Sequence, residues 1–456
     1  MEKKKTRYRF GADIGGTFTD ILLVDDDSGH LVALKKPSNR KMPEQSIVDG
    51  LVQLHEKHDV EPSEVSYFSH GTTLGVNTLL ERDGVEVGLL TSKGFRDILE
   101  LRRLRLPQAN DLFAPRPNTL CRRRYVLELE ERIGHNGEVI LPLKKENVIA
   151  AARKLAKQGV ENIALCFLHS YRFDAHEKQA KDWIKAEFPN IYVIASSDLW
   201  PQQREYERCL VSVINAYVGA RMRDCFSSLK QKTEDTGLLT QIFSTKSNGG
   251  VMGLKGAGER PVETLLSGPA SGVTGAFYVG QAIGETKMIT LDMGGTSVDI
   301  SIVDQAMPYS NENTVGEYPI SMPAVDVSAI GAGGGSVAWL DPEGMLKVGP
   351  RSAGARPGPA CYGLGGEEPT VTDAYAYLGI LSPDGILGGN MRLDLDLAKQ
   401  ALKSLGDRLK LSAEQTADAI LQVATANIYA EALPQIARRG IETSEFSLFC
   451  YGAAGP

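Results

Sequence analysis

Asp13-Ile14-Gly15-Gly16-Thr17-Phe18-Thr19-Asp20, near the start of the chain, returns as Asp292-Met293-Gly294-Gly295-Thr296-Ser297-Val298-Asp299, both D-x-G-G-T-x-x-D. Each copy follows a β-like run, Tyr8 to Ala12 and Lys287 to Leu291, and precedes another, Ile21 to Val24 and Ile300 to Val303. The pattern predicts two tight β-hairpin turns, one in each of two related halves. Glycine has no Cβ, so backbone N–H groups in such a turn approach an anion closely, and the threonine hydroxyl adds a donor. Asp13 and Asp292 stand at strand ends, where a carboxylate holds a hydrated Mg2+ or positions water. Asp20 and Asp299 either bond within their own hairpins or face the same site.

One D-x-G-G alone reads as a turn and nothing more. Two copies with the same threonine and the same distal aspartate resemble the phosphate-gripping hairpins of the sugar kinase, Hsp70 and actin superfamily, which binds ATP between two halves. That resemblance implies an α/β fold with two ribonuclease-H-like domains around an ATP cleft, divided as residues 1–200 and 201–456. It assigns Gly15, Gly16 and Thr17 to one side of the phosphates and Gly294, Gly295 and Thr296 to the other.

Composition is in keeping with this. At 456 residues the chain exceeds one ordinary core. Its 42% hydrophobic and 23% charged residues are ordinary for a globular protein. A formal charge of −7 argues against a nucleic-acid scaffold, which needs a clustered basic face. Lys3-Lys4-Lys5 and Arg122-Arg123-Arg124 read as solvated surface. No apolar run reaches the length of a membrane span, and the N-terminus lacks the apolar core of a signal peptide, so the expected compartment is the cytoplasm. The six cysteines include no C-x-x-C pair, which suggests neither a disulfide framework nor a zinc knuckle.

Strands and helices alternate along the chain. A helix is predicted over 44–58, a strand over 65–70, a helix opened by Gly71-Thr72-Thr73, and a strand over 86–90. Residues 102–118 read as an irregular loop. A second α/β portion runs over 146–194, and a long helix over 204–229 is expected to cross between the halves, the second of which begins near Gln241. Gly331 to Gly335 reads as a third anion-binding nest or as tight backbone packing. Arg96 in Gly94-Phe95-Arg96-Asp97 holds an anion or pairs with Asp97. Cys361 has no base paired with it and reads as structural. His70 closes an apolar strand just before Gly-Thr-Thr; it is either a satisfied core histidine or a group at a strand carboxyl end where α/β sheets gather ligands.

Taken together, the N-terminal hairpin, His70-Gly71-Thr72-Thr73 with Asn77, Gly94 to Asp97 and Ser247-Asn248-Gly249-Gly250 resemble the hydantoinase A/5-oxoprolinase family. Arg260 to Ala270, the second hairpin, Ile330 to Ser336, Val348 to Gly363, Thr370 to Ala374 and Asn427 extend the likeness over nearly the whole chain. Tyr451-Gly452-Ala453-Ala454-Gly455-Pro456 resembles the family's adenosine-contacting turn, which implicates Gly452 and Ala453. The family continues well beyond this turn, which implies a truncated or split form, or a remainder on another polypeptide. A histidine common in the family before the glycine run has no counterpart in Asp326 to Ile330, so no role is carried over there.

The resemblance implies an ATP-dependent hydrolase of small cyclic amides: a hydantoin, 5-oxoproline or a related lactam. MgATP phosphorylates the amide oxygen, Asp13 and Asp292 serve as catalytic and metal-holding residues, and His70 lies near the acceptor or metal pocket. It further implies a hydantoinase B-type partner in a hetero-oligomer. The alternatives are a ketone carboxylase subunit similar to the acetone and acetophenone carboxylases, and an actin-like ATP-binding assembly subunit.

Overall fold

The computed structural model describes residues 7–15, 18–39, 42–104, 111, 113, 118–354, 356–384, 392–452 and 455. Three sheets organise them. The first takes β1 (Tyr8–Ile14), β2 (Phe18–Asp25), β3 (Leu31–Pro37) and β4 (Val65–Thr72). The second takes β5 (Val87–Ser92), β6 (Val126–Leu129), β7 (Asn162–Cys166) and β8 (Tyr192–Ala195). Next come β9 (Ile242–Thr245) and β10 (Val251–Gly253), then β11 (Lys287–Met293), β12 (Val298–Asp304), β13 (Ser328–Ile330) and β14 (Ser447–Tyr451).

The first sheet runs β10-β9-β4-β1-β2-β3, the second β8-β7-β5-β6, and the third β13-β12-β11-β14. In the first, β1 turns back antiparallel into β2 and lies parallel to β4. In the third, β11 turns back antiparallel into β12 and lies parallel to β14. The two sheets therefore share the local order of an antiparallel three-strand meander with one parallel strand beside its first member. The second sheet is wholly parallel, and its central strands β5 and β7 are buried at every residue because both faces are covered.

β9 and β10 join the first sheet, β9 running parallel to β4 with Ser244 opposite His70. The segment that begins near Gln241 thus completes the first sheet rather than opening the second half, and that sheet draws strands from both sides of position 200. Sequence order hides this, because β9 returns only after the whole second sheet and a 31-residue helix.

That helix, Glu205–Asp235, is buried on every side over Tyr206 to Gly219, as its near-continuous apolar run requires. It packs against β5, β7 and β8 of the second sheet, with the helix Gln45–His58 of the first sheet's layer also against it. Arg208 anchors its first turn: Nε donates to Ser196 Oγ at 3.0 Å, and the two terminal nitrogens donate to Gln202 O at 2.9 Å and Phe167 O at 2.8 Å. A guanidinium this buried is tolerable only when its donors are used. The element that touches both hairpin-bearing sheets is instead the helix Ser267–Ile283, which packs on β4 and β9 and on β11 and β12. Its glycines permit the approach: a Cβ on Gly272 would strike the Tyr451 ring of β14 at 2.7 Å.

Among the described residues no helix is long and apolar enough to cross a membrane.

Candidate functional site

The two hairpins close alike. Gly15 N–H donates to Phe18 O at 2.9 Å and Gly294 N–H donates to Ser297 O at 3.0 Å, at matching positions of the repeat. These two glycines spend their N–H groups on the turn, and a Cβ on Gly15 would meet Phe18 O at 2.8 Å. Gly16, Thr17 and Ala453 lie outside the described residues. Gly295 and Thr296 are exposed at the second tip.

Asp13 and Asp292 each occupy the same niche. Asp13 is level with Gly71 on the parallel neighbour β4, and a Cβ there would sit 2.6 Å from Asp13 Oδ1 and 3.3 Å from Thr245 Oγ1. Asp292 is level with Tyr451 on the parallel neighbour β14, and a Cβ on the next residue, Gly452, would collide with Asp292 Oδ1. Each carboxylate therefore lies over a glycine of the adjacent parallel strand, at the carboxyl end of its sheet.

The electrostatics follow. The Asp13 side chain is exposed at the end of its strand, yet the protein packed around it displaces part of its water. That desolvation, then the charges of Asp20 and Asp292, push its carboxyl up to about 6, with Lys35 opposing. Burial likewise raises Asp292, and burial with the charge of Asp292 pushes Asp299 up to about 6. Asp20 is neutralised by Lys35, whose Nζ lies 2.7 Å from Oδ1. Asp20 thus bonds locally, while Asp299 belongs to the unneutralised group.

Among the described residues no three His, Cys, Asp or Glu side chains enclose a metal position. The donor set still fits Mg2+, which keeps its waters and binds through one or two carboxylates together with substrate phosphates. Carboxylates with raised pKa values, none of them in an ion pair among the described residues, are the arrangement a divalent ion would relieve.

His70 sits differently from a group facing this site. Its ring packs edge-on against Phe226 of the long helix and Phe68, with centroids 5.6 and 6.4 Å apart, and it is 1% exposed. Alternation along β4 puts it on the sheet face opposite to the one that carries Asp13. Burial lowers its pKa to about 4, so the ring is neutral, and Nε2 has no partner among the described residues. The motif's contact with the site runs instead through Thr73, whose N–H and Oγ1 donate to Ile14 O at 3.0 and 3.2 Å and bind the end of β4 to the end of β1.

The other candidates resolve in the same way. Gly333, Gly334 and Gly335 donate to the carbonyls of Thr296, Gly294 and Gly295, so the glycine run is a backing strip for the second hairpin, not a nest. Asp97 takes both of its bonds from Arg123, at 2.6 and 3.2 Å, and Arg96 does not pair with it. Cys361 is buried and its thiol pushed well up by desolvation. Thr245, which shares the space over Gly71 with Asp13, escaped sequence reading. Its signal was a strand end followed at once by Ser247-Asn248-Gly249-Gly250.

A hydantoinase/oxoprolinase family model matches residues 208–456, and the model for the N-terminal region of that family matches residues 9–188. The caprolactamase alpha subunit of Pseudomonas jessenii is 36% identical over 458 residues, covering 99% of this chain and 66% of the relative. The acetophenone carboxylase gamma subunit of Aromatoleum aromaticum is 30% identical, covering 97% of this chain and 63% of the relative. A nucleotide-free structure of acetone carboxylase superposes with a TM-score of 0.84 at 28% identity, covering 99% of this chain and 66% of the other. The chain thus spans about two thirds of the length of these relatives.

Proposed function

Because the chain belongs to the hydantoinase/oxoprolinase family, we propose that it is the nucleotide-binding subunit of an ATP-dependent hydrolase of small cyclic amides. In this reading the first and third sheets are the cores of two ribonuclease-H-like domains of actin type, and MgATP lies between their hairpins. The observation that carries it is the matched pair of aspartates, each over a glycine of its parallel neighbour, with the charge of Asp292 felt at Asp13.

Amide resonance makes an unstrained lactam a poor electrophile. Attack of the amide oxygen on the γ-phosphorus breaks the bond to the bridging oxygen, releases ADP and leaves the carbonyl carbon bearing a phosphate. Water then adds to that carbon, collapse of the adduct opens the ring C–N bond and leaves an acyl phosphate, and a second water releases phosphate and the open-chain amino acid. Asp13 and Asp292 would hold Mg2+, which supplies charge neutralisation at the β- and γ-phosphates. Glycines at 15, 16, 294 and 295 let the phosphates approach, Thr17 and Thr296 donate hydroxyls, and the turn at Gly452 and Ala453 adjoins the adenosine. Rate comes from positioning and electrostatics rather than from covalent chemistry on the protein.

A hydantoinase B-type subunit would complete the enzyme in a cytoplasmic hetero-oligomer; the relatives above are named as alpha and gamma subunits. The test is phosphate release by the chain with that partner across lactams, hydantoins, and ketones with bicarbonate. Stimulation by a cyclic amide is the expected result. Stimulation only by a ketone with bicarbonate would replace this reading by a carboxylase, the second reading favoured by the likeness to acetone carboxylase.

A further inference from the structure

A cavity of about 210 Å³ lies beside the carboxyl end of β9, its lining including the polar residues Lys246, Asn248 and Arg260 together with Trp200, Leu265 and Met322. Its position is set by the first sheet. β1, β4 and β9 are parallel neighbours, and Thr245, the last residue of β9, reaches the same space over Gly71 as Asp13. The cavity therefore begins one residue beyond the row of carboxyl ends where open α/β sheets collect their ligands, two strand spacings or about 10 Å from the first hairpin.

Size and chemistry select its occupant. Drug-sized ligands occupy roughly 300–1,000 Å³, so this volume excludes a nucleotide and accommodates one small ring. The apolar wall suits methylenes. On the polar wall, buried Glu263 pairs with Lys246 at 2.7 Å and Arg260 at 2.6 Å, leaving a net charge of one positive. Arg260 also donates to Leu199 O at 3.0 Å, and these bonds hold its guanidinium in the lining.

We propose that this cavity is the acceptor subsite, holding the ring of a neutral cyclic amide against Trp200 and Met322 with its carbonyl oxygen toward Arg260. This rests on the cyclic-amide reading above and adds to it a place for the substrate. A wall of net positive charge offsets the negative charge of the phosphoryl group that the amide oxygen acquires. The segment that includes Met322 follows the second hairpin, and Val325 N–H donates to Ser247 O at 2.8 Å. The cavity is thereby walled from both sides of the molecule.

Two variants test it in the complex with the partner subunit, with 2-pyrrolidone and ε-caprolactam as probes. Trp200→Ala enlarges the cavity and should shift the ratio of KM values toward the larger ring by about 10-fold; Met322→Phe fills it and should shift the ratio the other way. A misfolded variant loses both substrates together and is recognised by its melting temperature, whereas opposite shifts in the ratio require a shared pocket. If the wild type responds to lactams and neither ratio moves, the subsite is overturned while the cyclic-amide reading stands. If no lactam stimulates the wild type, the cyclic-amide reading fails, and tryptophan emission decides the subsite. A lactam-dependent change that Trp200→Phe abolishes keeps the subsite; no change overturns it.

Discussion

Asp13 titrates against the charge of Asp292, although the two stand on different sheets and no hydrogen bond joins them among the described residues. That repulsion is the electrostatic sign of a site built to receive positive charge.

Asp13→Ala and Asp292→Ala should each lower Mg2+-dependent phosphate release on the order of 10^2–10^3-fold, the scale for removing one preorganised electrostatic group. Steady-state turnover of the complex at saturating ATP measures this. Retention of wild-type turnover in either variant would remove that aspartate from the site.

The raised pKa of Asp13 has a stability consequence with a definite sign. Between about 4 and 6 the folded protein keeps a proton that the unfolded chain has lost, so stability falls as pH rises through that window. Asp13→Asn should therefore melt higher than wild type at pH 8 in buffer free of metal and nucleotide, and the gap should close as pH falls toward 4. A variant that is less stable at pH 8 would contradict the assignment. Strain of this kind, kept where a ligand will relieve it, is a familiar exchange of stability for activity.

His70 predicts the opposite slope. Its ring is held neutral down to about pH 4, while the unfolded chain takes up a proton near 6.5, so its contribution is full above 6.5 and disappears as pH falls to 4. The window corresponds to on the order of 3 kcal/mol. His70→Phe should flatten the melting profile between pH 6.5 and 4 and preserve nucleotide turnover. Selective loss of lactam-coupled turnover, with nucleotide turnover and the pH profile intact, would return His70 to a catalytic role.

Gly71→Ala should damage activity more than stability. The new methyl would meet Asp13 Oδ1 at 2.6 Å, and the carboxylate has to move to admit it. Displacement by about 1 Å costs up to about 100-fold in rate at a positioned site. Comparison of kcat with the melting temperature checks this: a large drop in stability with unchanged kcat per folded molecule would mean that the sheet, not Asp13, had yielded.

The hairpins were legible because turn chemistry is local: D-x-G-G-T between two β-like runs admits few backbones, and the same eight positions occur twice. What sequence could not supply were facts of side-chain direction and of long-range pairing. His70 ends an apolar strand in either reading, and only the sheet's other face, with Phe226 against it, places the ring in the core. Asp97 had an arginine beside it in sequence, yet Arg123 reaches it first in space. β9 looked like the start of a new half because its pairing with β4 is set by a crossover spanning the second sheet and the long helix. Thr245 became visible as a site residue only once that pairing put it level with Gly71.

A molecule that carries one device in duplicate is its own control. The hairpins behind Asp13 and Asp292 share their closing bond at Gly15 and Gly294, while the neighbours of the two aspartates differ. Exchanging neighbours between the copies, Lys35 beside one and the glycine strip behind the other, would separate what the motif does from what its setting adds.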